Sequence, residues 1–142
     1  MENRHIKYEV TLSFDKHTDK PIEECWRGEQ GWLDRREGPA HLIFDPVSGI
    51  KLKELFYQCG RLHRDEKQGP AVREWDSQGR LLMEAYYEYD RLSRSDRKPA
   101  LIRYDAESGK VIEEKFYTFC LGEISPKTGR RLRDKKLDCH TL

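Results

Sequence analysis

The chain has 142 residues, of which 37% are charged and 36% hydrophobic, and its 27 basic and 26 acidic side chains nearly cancel. A near-neutral chain has no global field to draw it to nucleic acid or an anionic membrane, and no apolar run approaches the roughly 18 residues of a membrane span. With so lean an apolar content, one domain built as a shallow array suits the chain better than a thick core. The first residues lead into no signal-peptide core, so a cytoplasmic setting is expected.

In chain order, the first predicted strand alternates Val10, Leu12 and Phe14 with Thr11 and Ser13 and stops at Asp15. After a turn the second reads Ile22-x-Glu24-x-Trp26, and a link carrying Leu33-Asp34-Arg35 leads to Pro39-Ala40. The passage then recurs. Pro39-Ala40, Pro70-Ala71 and Pro99-Ala100 stand 31 and 29 residues apart. Each opens a short alternating run ending in an aromatic and Asp (Phe44-Asp45, Trp75-Asp76, Tyr104-Asp105), followed by Gly49, Gly79 or Gly109. The second strand of each copy has Glu54, Glu84 or Glu114, then Phe56-Tyr57, Tyr86-Tyr87 or Phe116-Tyr117. Strict alternation broken by D-x-x-x-G turns argues antiparallel hairpins, and self-similarity at this period argues an array of units that bury their apolar sides against their neighbours. The expected fold is therefore all-β, a repeat array of hairpins forming one elongated twisted sheet, with either a terminal strand or a short helix in the last 15 or so residues. The units fall at about 8–38, 39–69, 70–98 and 99–120. A degenerate cap follows at 121–142, where Pro126-Lys127-Thr128-Gly129 repeats the turn of Pro46-Val47-Ser48-Gly49.

One face of that sheet collects Phe14, Phe44, Trp75, Tyr104, Trp26, Phe56, Tyr86 and Phe116, and it is the expected core. Glu24, Glu54, Glu84 and Glu114 fall on the same face, where an unpaired carboxylate is costly. Arg35, Arg64 and Arg94 recur once per unit and are the expected partners in a register-fixing salt-bridge ladder. The other face carries Tyr57, Tyr87 and Tyr117 in one repeat phase beside Leu55 and Met83. Tyrosine in a row is typical contact material, and these five are the candidate partner-binding residues. The competing reading covers that face with the links or with a second copy.

Catalysis is poorly supported by the residues. The glutamates repeat whereas active sites are singular, and His63 is matched in other units by Asp34 and Ser93. No hydrolase, P-loop or dinucleotide motif occurs. Cys25, Cys59, Cys120 and Cys139 contain no C-x-x-C, so free thiols are expected and neither a metal nor another cofactor. The tail is locally basic, and Lys127, Arg130, Arg131, Arg133, Lys135 and Lys136 are candidate phosphate contacts.

The wording Gly60-Arg61-Leu62-His63-Arg64, Gly69-Pro70-Ala71, Trp75-Asp76, Gly79, Glu84 and Tyr86-Tyr87 resembles variant MORN-type repeats of bacterial and large-virus proteins, over about residues 8–120. It departs from the short form in units near 30 residues and in Ser93 and Lys98 of the third copy. The resemblance implies an elongated hairpin sheet serving as a protein or lipid platform, and some bacterial members carry an antitoxin label. The expected function is a non-catalytic protein-binding module, an inhibitor, immunity or antitoxin-like partner of another protein, or a homodimer. The alternatives are a binder of nucleic acid or anionic surfaces through the basic tail, and an unrecognised hydrolase.

Overall fold

A computed structural model describes residues 3–132. The strands are β1 (Glu9–Phe14), β2 (Pro21–Arg27), β3 (His41–Phe44), β4 (Lys51–Leu55), β5 (Tyr57–Gln58), β6 (Arg61–Leu62) and β7 (Val72–Trp75). They continue with β8 (Leu81–Ala85), β9 (Tyr87–Glu88), β10 (Arg91–Leu92), β11 (Leu101–Tyr104), β12 (Val111–Lys115), β13 (Tyr117–Thr118) and β14 (Gly122–Glu123). Eight of them form one antiparallel sheet in the order β1-β2-β3-β4-β7-β8-β11-β12, and β5–β6, β9–β10 and β13–β14 are small hairpins inserted in the links. The expected all-β hairpin sheet is what the chain forms. Among the described residues there is no helix, and so none long and apolar enough to cross a membrane. The expected terminal strand or short helix falls mostly outside the described residues. Up to Leu132 that stretch is a turn closed by a bridge between Ile124 and Arg131.

The repeated aromatic-Asp word has a local cause. At each one the strand register shifts, between Ser13 and Phe14, Ile43 and Phe44, Glu74 and Trp75, and Arg103 and Tyr104. The following Asp then organises the turn with its own carboxylate, an alternative to the ladder open to Asp. Asp45 Oδ1 accepts the Val47 and Ser48 amides at 2.9 and 2.8 Å, and Asp105 Oδ1 accepts those of Glu107 and Ser108 at 3.0 and 2.8 Å. Asp15 and Asp76 act in the same way. These amides hold all four carboxyls below their ordinary value. Gly49 closes its turn at φ 75°, and Asp19 occupies the matching place at φ 57°, which Asp tolerates better than most residues.

Register fixes what each face carries. One row runs Leu12, Glu24, Leu42, Glu54, Arg73, Glu84, Ile102, Glu114 across successive strands. The neighbouring row, on the opposite face, runs Thr11, Cys25, His41, Leu55, Val72, Ala85, Leu101, Lys115. The buried cluster is Leu55, Val72, Met83 and Ala85, with Tyr57, Leu62, Tyr87 and Leu92 packed against it. This corrects the sequence expectation, which placed the core on the aromatic face. Leu62 and Leu92 belong to the small hairpins, so it is the links that cover the aliphatic face. On the aromatic face Ala40, Ala71 and Ala100 are fully shielded and Leu42, Glu54 and Tyr86 buried, but its other rings are half-buried and Phe14 is exposed.

Candidate functional site

The recurring arginines are structural, by a geometry that spacing alone did not reveal. Arg35, Arg64 and Arg94 lie over the rings of Trp26, Phe56 and Tyr86 with Cζ 3.7, 3.9 and 3.9 Å from the centroids. Each also donates through Nη1 to the carbonyl of the proline that opens the next unit, Pro39, Pro70 and Pro99, at 3.2, 3.1 and 3.1 Å. A planar guanidinium suits this double task because it stacks and donates at once. The expected Arg–Glu ladder is thus corrected: only Arg35 reaches its glutamate, at 3.9 Å from Glu24, which also accepts Trp26 Nε1 at 2.8 Å.

Glu54 and Glu84 are instead joined by Arg73, which stands between them in the row. Arg73 Nε donates to Glu84 Oε2 at 2.9 Å and Nη1 lies 3.6 Å from Glu54 Oε1, while Lys51 Nζ donates to Glu54 Oε2 at 2.7 Å. Tyr104 donates its hydroxyl to Glu84 Oε1 at 2.6 Å. Glu114 is exposed and makes no ion pair among the described residues. Burial first, and then the bond to Glu84, push the Tyr104 hydroxyl up to about 12 from an ordinary value of 10.0. The folded state holds that proton more tightly than the unfolded chain. Its stabilising contribution is therefore complete below pH 10 and lost as pH rises through about 12. A spectrophotometric titration should show a late tyrosine component that Tyr104→Phe removes, and unchanged titration in that variant would refute the assignment.

Of the expected contact residues, Leu55 and Met83 are buried in the core and out of a partner's reach. Tyr57, Tyr87 and Tyr117 are half-buried, and their carbonyls accept the amides of Arg35, Arg64 and Arg94 at 3.3, 3.3 and 3.0 Å. These main-chain bonds attach one link to the next, while the Tyr57 and Tyr87 side chains pack against the buried cluster. In the basic tail, Lys127 gives its carbonyl to Arg97 Nη1 at 3.0 Å, and Arg130 and Arg131 lie beside the closing turn. Arg133, Lys135 and Lys136 lie outside the described residues, as does Cys139, while Cys59 and Cys120 are exposed free thiols and Cys25 a buried one.

Of the exposed aromatic rings among the described residues, Phe14 lies on β1, and Trp32 and Tyr89 lie at the tips of the links. Cys59-Gly60 and Tyr89-Asp90 are two-residue turns with both φ positive (50° and 81°, 44° and 71°), the form that matches the twist of a tight hairpin. Each tip hydrogen-bonds to the previous link: Gly60 donates to the Leu33 carbonyl and Asp90 to that of Leu62, both at 2.8 Å. Trp32, 53% exposed, packs over Gly60, where an added Cβ would stand 3.2 Å from the Trp32 Cβ. Tyr89, 46% exposed, stacks on His63 at 4.1 Å between centroids, and its amide donates to His63 Nδ1 at 3.3 Å. Trp32 and Tyr89 line one open depression together with Gln58, Cys59, Gly60 and Arg61.

Sequence reading passed over these two rings although a signal was present. Trp32 stands in the phase of Arg61 and Arg91, so the array does not demand an aromatic there, while Tyr89 shares its phase with Cys59 and Phe119. No family model, no curated protein and no solved structure matches the chain.

Proposed function

We propose that this chain is a non-catalytic protein-binding module that engages its partner through the tips of its links. The observation that carries the reading is the shared depression bounded by Trp32 and Tyr89 around Arg61. Trp, Tyr and Arg are the residues most enriched where binding energy concentrates. Both rings are already held, one against Gly60 and the other on His63, so little side-chain freedom is lost on contact. The likeness of the repeat words to MORN-type platforms supports the same class of function, and an inhibitor or antitoxin-like role is its narrowest form.

The test is comparative capture from the native cell with the wild-type chain, a Trp32→Ser/Tyr89→Ser variant and a Val47→Ser variant altered at another exposed site. A partner protein should be retained by the first and third and lost by the second, with unchanged circular dichroism throughout. Equal retention by all three, or loss of nuclease-sensitive nucleic acid in place of protein, would overturn the reading.

A further inference from the structure

The aliphatic face is not aliphatic at its first junction. Cys25 on β2 is the direct cross-strand partner of His41 on β3, and Glu23 lies two residues before Cys25 on the same face. At the next junction these three places hold Lys53, Leu55 and Val72, and at the one after Met83, Ala85 and Leu101. The core residues of the array are thus replaced here, and only here, by a thiol, an imidazole and a carboxylate. Nothing in the repeat requires the exchange.

We propose that Glu23, Cys25 and His41 bind a zinc-class divalent cation that ties the first unit to the second. The three ligand atoms all lie within 4.8 Å of one another. Cys25 Sγ is 3.5 Å from Glu23 Oε1 and His41 Nε2 is 3.6 Å from Glu23 Oε2. Ligands placed tetrahedrally at ~2.0–2.3 Å from zinc stand ~3.3–3.6 Å apart; the two contacts fall on different Glu23 oxygens, so the cluster closes on one cation by a contraction of about 1 Å. The donor set of thiolate, imidazole and carboxylate belongs to zinc rather than to calcium or magnesium, which take oxygen alone. His41 Nε2 is shut off from solvent and makes no hydrogen bond among the described residues, an orphan in need of a partner. The Glu23 side chain is 46% exposed and leaves a way in for the ion and a fourth position for water. Burial first, then Glu23, raise the Cys25 thiol, so without a cation it keeps its proton; the thiolate forms as the ion binds and the proton passes to the buffer. The site does not depend on the protein-binding reading.

The experiment uses the full chain carrying Cys59→Ser, Cys120→Ser and Cys139→Ser, which leaves Cys25 as the sole thiol, and titrates it with Co²⁺. One equivalent should produce a thiolate-to-cobalt charge-transfer band and the intense visible bands of tetrahedral cobalt, both discharged by Zn²⁺. His41→Gln and Glu23→Gln should each weaken binding by more than the ~10–100-fold that loss of an orienting partner costs. Absence of the charge-transfer band, or a band undiminished by His41→Gln, overturns the proposal. His41 and Glu23 lie outside the buried cluster, so both variants are expected to fold and both arms can be read.

Discussion

Replacing Arg73 by Ala should destabilise the chain by about 2 kcal/mol, measured by urea unfolding, because one change strips the partner from two carboxylates. The Glu54 side chain is 8% exposed and that of Glu84 15%, and Arg73 stands between them as the cation common to both. Breaking a fully buried pair costs roughly 3–5 kcal/mol. The expected loss is smaller because Arg73 is itself 35% exposed and Lys51 stays on Glu54. Removing the charges together should behave differently. A Glu54→Gln/Arg73→Met/Glu84→Gln chain should lie within about 1 kcal/mol of wild type, since no uncompensated charge remains. Glu114→Ala, at an exposed end of the same row, should fall within about 0.5 kcal/mol. A silent Arg73→Ala would show that the row contributes nothing to stability.

Arg64→Ala should cost about 2–3 kcal/mol, the sum of a partly buried cation–π contact and a charged hydrogen bond. The guanidinium is seated between the Phe56 ring and the Pro70 carbonyl. Gly69 leaves it room: a Cβ there would come within 2.7 Å of Arg64 Nη1, at a φ of 139°. Arg64→Lys keeps the charge but not the plane, and should recover less than half of the loss. Gly69→Ala should weaken the same clamp from the other side. Full recovery by Lys would show that charge alone, rather than stacking, holds the unit to its neighbour.

The architecture was legible because it is written in words of fixed meaning. Alternation, the D-x-x-x-G turn and the Pro-Ala openings each act locally, and repetition makes a chance reading of any one of them untenable. The face that carries the core was not legible. The aromatic side reads as more hydrophobic, but the choice depends on which side the small hairpins cover, and that is set by Leu62 and Leu92 across a chain reversal. Pairing of the ions failed for a similar reason. Arg64 and Glu54 share a period, yet a ring and a carbonyl compete for the guanidinium and win, while Arg73 stands where the other units have Leu12, Leu42 and Ile102 and so follows no period. The tip aromatics Trp32 and Tyr89 were missed because neither phase is aromatic in every unit: Arg61 and Arg91 answer to Trp32, and Cys59 interrupts the phase of Tyr89 and Phe119.

Burial falls away toward both margins of the sheet: every residue of β1 and β12 is exposed, whereas β2, β3, β4, β7 and β8 each contain a shielded position. An assembly held by neighbour-to-neighbour fastenings does not have to come apart all at once. Its outer ribbons should fray while the middle keeps its amide protons. A single unfolding free energy would then average over separate events.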